Sequence, residues 1–109
     1  MAISVQNIFA GLPDAGGEEE FLTLFAGDAV RIERIVSRSH RSPDGFWYDQ
    51  DQDEWVALLR GYADLEFAGG ETLAMKAGDS LLIPRHVRHR VRETAPETIW
   101  LAVHVKAGG

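Results

Sequence analysis

A run of acidic residues in the middle of the chain has the first spacing that could support chemistry. Asp49, Asp51 and Asp53 alternate with other residues, as the opening ligands of a helix–loop–helix calcium site do. Such a loop needs glycine at its sixth position and a bidentate glutamate at its twelfth, but Glu54 and Arg60 stand there. We therefore reject a calcium loop of this kind and interpret Asp51 and Asp53 as solvated loop charges.

Glu54 differs from the other acids because it opens the apolar run "EWVALLRG". Successive side chains of a strand point to opposite faces, so Glu54 shares a face with Val56 and Leu58. A carboxylate on a buried face is costly unless a metal, an arginine or a proton neutralises it. Glu54 is therefore predicted to be the functional acid of this segment.

His89 in "VRHRVRE" is the second candidate. Alternation places it with Val87 and Val91, facing an apolar interior. A histidine there is either a metal ligand or a core side chain hydrogen-bonded to a neighbour, and the sequence leaves both open. The basic residues around it are predicted to meet solvent or to pair with the acidic run Asp49, Asp51 and Asp53; they are Arg85, Arg88, Arg90 and Arg92.

The elements that must position these residues are short and extended. Glycine, proline and aspartate punctuate runs rich in Val, Ile, Leu and aromatic residues, which predicts strands separated by turns. The predicted strands are 20–25, 29–37, 54–60, 62–67, 71–76, 80–83, 87–93 and 98–105. Only the first ~12 residues favour a helix, and weakly. About eight short strands predict an all-β sandwich or barrel.

Two of these strands have apolar residues on both faces. For the strand at 54–60 this predicts that both faces are covered. In the last strand, the row expected to be buried consists of Ile99, Leu101, Val103 and Val105. His104 lies on the other face, and it reaches a cavity only if the Trp100 face is directed inward.

Composition limits the classes of function. The 109 residues are enough for one core, and a net charge of -6 argues against nucleic-acid or anionic-membrane partners. There is no cysteine, so disulfides and thiolate metal sites are excluded. The first residues have neither a basic residue nor a long apolar run, which argues against a signal peptide or a membrane anchor. A cytoplasmic location is the expectation.

Two motif spacings resemble those of the cupin family. "EWVALLRG" matches the end of G-x5-H-x-H-x3,4-E-x6-G, and "GDSLLIPRHVRHRVRE" matches G-x5-P-x-G-x2-H-x3-N. The residues in register are Glu54, Gly61, Gly78, Pro84 and His89, while His86 stands at the usual Gly and Glu93 at the usual Asn. The stretch "SPDGFWYDQDQDEWV" also resembles a subgroup of small bacterial cupins without an assigned activity. The resemblance covers approximately residues 30–105 and implies a double-stranded β-helix, or jelly-roll, barrel as one domain over 1–109.

The resemblance implies a metal held by the H-x-H pair, the glutamate and the second-motif histidine. Here the H-x-H positions fall on Tyr48 and Gln50, or on Trp47 and Asp49 if the gap is four. Only two of the usual ligands are therefore present. The candidate ligands for a divalent transition metal (Zn, Fe, Mn or Ni) are Glu54, His89, Gln50, Asp49 and His40.

The resemblance predicts a small metal-binding cupin that binds or acts on a small organic molecule, without distinguishing dioxygenase, isomerase and lyase chemistry. The candidate catalytic residues are Glu54, Tyr48 and Tyr62. One alternative is a non-catalytic, metal-free binding barrel in which Glu54 and His89 share a buried hydrogen bond. Another is a metal-independent epimerase that uses His and Tyr, although the sequence shows no second His–Asp pair. The resemblance also implies a homodimer, with Trp55 as the preferred dimer-side residue.

Overall fold

In a computed structural model of the chain, which describes residues 2–106, the regular elements are all β-strands. The strands are β1 (Glu20–Ala26), β2 (Val30–Ser37), β3 (Gln52–Arg60), β4 (Tyr62–Phe67), β5 (Thr72–Lys76), β6 (Ser80–Ile83), β7 (His89–Thr94) and β8 (Thr98–Lys106). Each bound lies within two residues of the predicted one. Residue 1 and residues 107–109 of the predicted domain lie outside the described residues. No helix long and apolar enough to cross a membrane is present within 2–106.

The strands form two antiparallel sheets. The larger sheet has the order β1-β2-β8-β3-β6, and the smaller one has the order β5-β4-β7. Side chains from both sheets meet in one hydrophobic core that includes Val56, Leu65 and Trp100. The predicted all-β jelly-roll fold is confirmed, since the eight strands of residues 2–106 form two antiparallel sheets that pack against each other.

Strand β8 lies between β2 and β3, so its inner face is central to the molecule. Trp100 and His104 are buried on this face, whereas Val105 on the opposite face is 41% exposed. Of the row predicted to be buried, Ile99 is buried, Leu101 and Val103 are half-buried and Val105 is exposed, so the prediction was wrong about which face of β8 is the more buried. Alternation groups the side chains correctly, but both groups are apolar. The Trp100 group faces the core and the cavity, where the indole N–H donates to Ser37 Oγ at 3.2 Å.

The face of β3 that bears Trp55 is also not covered within one chain. Glu54, Val56 and Leu58 are buried, but Trp55 is 40% exposed. The prediction that both faces are covered is therefore wrong for the single chain.

The N-terminal segment is extended, with a turn at residues 8–10, and the helix expected in the first ~12 residues is not formed. The buried guanidinium of Arg34 donates to the carbonyl oxygens of Ile8, Ala10 and Gly11 at 3.1, 2.7 and 3.3 Å. These carbonyls bond to a side chain on β2 instead of to helical amides. The segment is thus fastened to the outer side of the larger sheet.

Gly61, the last glycine of the first motif, lies in the tight turn between β3 and β4. Its φ is +87°, and a Cβ at this position would come within 2.5 Å of the Glu97 carbonyl oxygen. Both the left-handed backbone and the close approach require glycine, which explains its place in the motif.

Candidate functional site in the barrel cavity

A cavity of about 440 Å³ opens between the two sheets. Its walls include the apolar side chains of Ile35, Val56 and Leu65. The charged and imidazole groups that line it are Glu19, Arg31, Glu33, Glu54, His89 and His104. A mostly apolar pocket with a few convergent polar groups is the usual form of a small-molecule site.

Glu54 lies in the wall of the cavity between two imidazoles. Its Oε1 is 3.7 Å from His89 Nε2, and its Oε2 is 3.8 Å from His104 Nε2. Both distances exceed a hydrogen bond, although Glu54 is only 9% exposed. Burial raises the pKa of the Glu54 carboxyl above its ordinary value, and the opposing effects of His104 and His89 are smaller.

His89 is the first residue of β7 and is 5% exposed, on the inner side that the alternation predicts. Its Nδ1 lies 2.9 Å from the Val87 carbonyl oxygen, which requires the hydrogen on Nδ1. In the neutral ring, the lone pair of Nε2 is then directed toward Glu54.

Tyr48 stacks on His89, with ring centroids 5.3 Å apart, and the two residues exchange backbone hydrogen bonds of 2.7 and 3.1 Å. Burial raises the pKa of the Tyr48 phenol, and the charges of Glu19, Glu54 and Glu33 raise it further. The phenol therefore remains a hydrogen-bond donor at neutral pH.

Glu33 was missed in the sequence, and it forms the closest ionisable pair of the cavity. Its Oε1 lies 2.9 Å from His104 Nε2, and both residues are buried. The other oxygen is 3.9 Å from Arg31 Nε, on the same strand. The available signal was the one acidic residue in the predicted strand "VRIERIVS", but its partner lies on β8, 71 positions away.

The structure separates the remaining predicted ligands. Gln50 lines the cavity. The Asp49 carboxylate instead binds His86 Nδ1 at 2.8 Å on the exposed rim. His40 also lies away from the cavity, because its Nδ1 accepts the Arg38 N–H at 2.7 Å and its Nε2 bonds to a carbonyl of the N-terminal segment at 3.0 Å.

Tyr62, a predicted catalytic candidate, is 47% exposed at the start of β4 and does not line the cavity. The backbone carbonyl of Tyr62 accepts a hydrogen bond from the Ala95 N–H at 3.0 Å. Asp49, His40 and Tyr62 therefore do not line the cavity.

His86 occupies the motif position usually held by glycine and has a φ of +62°. This left-handed conformation is the reason that glycine is favoured there. The His86 N–H donates to the Gln50 carbonyl oxygen at 2.7 Å, and the ring binds Asp49. These bonds fasten the segment that bears Gln50 to the turn after β6.

The predicted pairing between arginines and the acidic run forms at one place. Arg85 Nη2 lies 3.1 Å from Asp53 Oδ2, and the hydrogen bonds from Arg85 lower the pKa of Asp53. Arg88 and Arg90 lie over the ring of Trp47, at 5.7 and 5.9 Å from its centroid. Asp53 is thus a structural side chain of the rim, in an ion pair rather than free in solvent.

Several side chains of the cavity are of the types that bind transition metals. Glu54, His89 and His104 have the composition of a 2-His-1-carboxylate centre. Within the described part of the chain, however, no group of three or more His, Asp or Glu side chains has the arrangement needed to hold a metal ion. His104 directs Nε2 to Glu33, and Tyr48 and Gln50 stand at the H-x-H positions. As arranged, these residues do not fit a resident metal.

Comparisons with known proteins agree with this architecture. A Ralstonia eutropha protein described as a candidate mannose-6-phosphate isomerase is 44% identical in sequence, with a TM-score of 0.90, 96% of this chain covered and 100% of that chain. An RmlC-like cupin from Methanocaldococcus jannaschii, 16% identical, has a TM-score of 0.71, with 94% of this chain and 93% of that chain covered. At that identity the likeness shows the fold alone.

The sequence is also similar to one curated protein and to one family model. The uncharacterized protein YdbB of Bacillus subtilis is 45% identical over 42 residues, which is 38% of this chain and 37% of that protein. The family model described as "Cupin domain" matches residues 44–104, which contain β3 to β7 and most of β8. The chain therefore belongs to the cupin family.

Proposed function

We propose that the barrel cavity binds a small organic molecule and transfers protons to and from it without a resident metal ion. The observation that supports this most directly is the position of Glu54 in the cavity wall, between His89 and His104. No donor among residues 2–106 makes a hydrogen bond to the Glu54 carboxylate, so its oxygens remain available to a ligand.

The protonation states suit general acid–base chemistry. A buried carboxyl with a raised pKa can hold a proton and release it nearer to neutral pH than a solvated one. His89 Nε2, 3.7 Å away, is a base when Nδ1 donates to Val87. The Tyr48 phenol, kept protonated by burial, is a donor for a developing oxyanion.

The buried Glu33–His104 pair supplies the second His–carboxylate pair that the sequence did not reveal. Two such pairs in one cavity favour isomerase-type chemistry, in which a proton leaves one carbon and returns to a neighbouring one. The description of the Ralstonia protein as a candidate isomerase names the same class of reaction for that protein.

Solvent deuterium exchange tests this proposal. The protein would be incubated in D2O with a panel of hydroxycarbonyl compounds, including mannose, mannose 6-phosphate and amino sugars, and followed by NMR. We expect deuterium at the carbon next to the carbonyl of at least one compound. Glu54→Gln and His89→Gln should each slow exchange about 100-fold or more. Glu71→Gln, an exposed glutamate in the turn between β4 and β5, is the matched control. Exchange with no compound, or exchange unaffected by both cavity variants, would contradict proton transfer.

Elemental analysis tests the absence of a resident metal. We expect less than stoichiometric Zn, Fe, Mn or Ni after incubation of the protein with each ion and removal of the excess. Near-stoichiometric metal in the parent, lost in both Glu54→Ala and His89→Ala, would instead establish the metal centre that the family resemblance implies.

We also propose that the protein forms a homodimer through the outer face of the larger sheet. The outer face of the larger sheet exposes Trp55, Leu82 and Val105 to solvent at 40%, 60% and 41%. Trp55 pairs with Leu82 across β3 and β6, so these side chains are neighbours. A contiguous exposed apolar face is typical of an interface.

A further inference from the structure

The charged groups of the cavity are predominantly acidic. Among residues 2–106, three carboxylates line it, those of Glu19, Glu33 and Glu54, against the guanidinium of Arg31. The Arg31 side chain is 45% exposed and lies 3.9 Å from Glu33, so its charge is screened by solvent and partly compensated already. Within the described part of the chain, the lining therefore holds more acidic than basic side chains.

Glu54 lacks the partner that a buried carboxylate requires. Glu19 accepts a hydrogen bond from the Ser37 hydroxyl, and Glu33 is hydrogen-bonded to His104. Glu54 is nine-tenths buried and lines the cavity, yet its nearest imidazole nitrogens, on His89 and His104, are 3.7 and 3.8 Å away. Because Glu54 lines the cavity, a ligand that supplies N–H donors and a positive charge would be stabilised beside its carboxylate.

The remaining wall suits the carbon skeleton of such a ligand. Phe21, Tyr48 and Trp100 line the cavity with aromatic surface, and Val56 and Leu65 add aliphatic surface. Aromatic rings attract ammonium groups through their negative faces. A cavity lined by carboxylates and aromatic rings attracts an organic cation and repels an anion.

We propose that the cavity recognises a small organic amine in its protonated form, bound through Glu54, and discriminates against phosphorylated and other anionic ligands. This inference rests on the proposed function, because it names the class of molecule that the acid–base groups would act on. An ammonium group has three N–H donors, of which Glu54 accepts at least one. A phosphate in the same place would lie beside three carboxylates and only one arginine.

Calorimetric titration with charge-matched ligands tests the proposal. One triplet is phenethylamine, 2-phenylethanol and phenethyl phosphate, and a second is mannosamine, mannose and mannose 6-phosphate. Titrations at one ionic strength near neutral pH keep the screening constant. In at least one triplet the amine should bind about tenfold more tightly than the neutral compound, and wherever an amine binds, its phosphate analogue should bind more weakly. Glu54→Gln should reduce the affinity for the amine about tenfold and leave the affinity for the alcohol unchanged. Glu71→Gln should change neither, and unfolding curves verify that both variants are folded.

Each other outcome overturns the inference. If a phosphate binds as tightly as its amine, or more tightly, the ligand class is wrong while a binding cavity remains. If the amine binds equally well to Glu54→Gln, recognition does not use Glu54. If none of the six compounds binds, the amine proposal fails, and the deuterium-exchange experiment decides the proposed function independently.

Discussion

At the scale of single residues, the burial of Glu54 places a carboxyl group in the cavity for the proposed chemistry, but it lowers the stability of the fold when that group is ionised. The residue is buried without a hydrogen-bond donor from residues 2–106, and burial raises its pKa above the ordinary carboxyl value of 4.5. A carboxyl whose pKa is higher in the folded than in the unfolded chain destabilises the fold when it is ionised. The contribution of Glu54 to the free energy of unfolding is therefore fully present below the pKa that it has in the unfolded chain. It is lost as the pH rises through the pKa that it has in the folded chain.

Glu54→Gln should therefore stabilise the protein in a pH-dependent way. We expect the free energy of unfolding to rise by on the order of 1 kcal/mol at about pH 8, and the difference to vanish at about pH 4. Urea unfolding in phosphate buffer with a chelator, free of amines and metals, measures this. A Glu54→Gln protein that is less stable than the parent at the higher pH would show that the ionised carboxylate is stabilised in the fold.

At the scale of elements, two tight turns fix the strands that form the cavity. The turn after β6 places His86 at a φ of +62°, and its backbone N–H holds the carbonyl of Gln50. The turn between β3 and β4 places Gly61 against the backbone before β8. Both turns depend on the left-handed backbone conformation, which side chains with a Cβ disfavour.

A matched pair of variants isolates this effect at His86. Both His86→Gly and His86→Ala lose the side-chain bond to Asp49, so they differ mainly in the backbone. His86→Gly should be more stable than His86→Ala by about 1 kcal/mol in urea unfolding, because only glycine adopts this φ without strain. Equal stability of the two variants would mean that the left-handed turn is not maintained in solution.

Gly61→Ala should destabilise the fold more than an alanine at an open turn. The new Cβ would meet the Glu97 carbonyl oxygen at 2.5 Å, while Gly70, which also has a positive φ, has no atom within 4 Å of the added carbon. We expect a loss of about 3 kcal/mol for Gly61→Ala and about 1 kcal/mol for Gly70→Ala, measured by thermal or urea unfolding. Similar losses for the two variants would contradict the close approach at Gly61.

At the scale of the whole molecule, the larger sheet has two contrasting faces. Its inner face carries Glu33, Glu54 and His104, and its outer face exposes Trp55 and Leu82. A flat apolar outer face of this kind is stabilised when a second copy covers it. The proposed homodimer would thus cover the side of β3 that one chain leaves open.

Trp55→Glu and Leu82→Glu should therefore convert a dimer into a monomer. Sedimentation or light scattering should give twice the 12.1 kDa chain mass for the parent and about one chain mass for either variant at micromolar concentration. Leu73→Glu is the matched control, since Leu73 is 38% exposed on β5 of the smaller sheet. A monomeric parent, or dissociation caused equally by Leu73→Glu, would contradict this interface.

Patterns in the sequence predicted the strands, the turns, the jelly-roll fold and four residues that line the cavity, Tyr48, Gln50, Glu54 and His89. These features depend on local information: alternation along a strand, turn residues, and motif spacings such as the one that ends at Gly61. The same alternation grouped Trp100 with His104 correctly. It could not tell which face of β8 is inside, because both faces are apolar.

The remaining groups of the cavity come together only through tertiary contacts. Pairing of β8 with β2 and β3 brings His104 beside Glu33 and Glu54, residues 71 and 50 positions away along the chain. Asp49 and His40 have the chemistry of ligands, but hydrogen bonds on the rim and to the N-terminal segment hold them elsewhere. A strand pattern specifies which side chains share a face, whereas the partners across that face are set by sheet order and register, which are non-local.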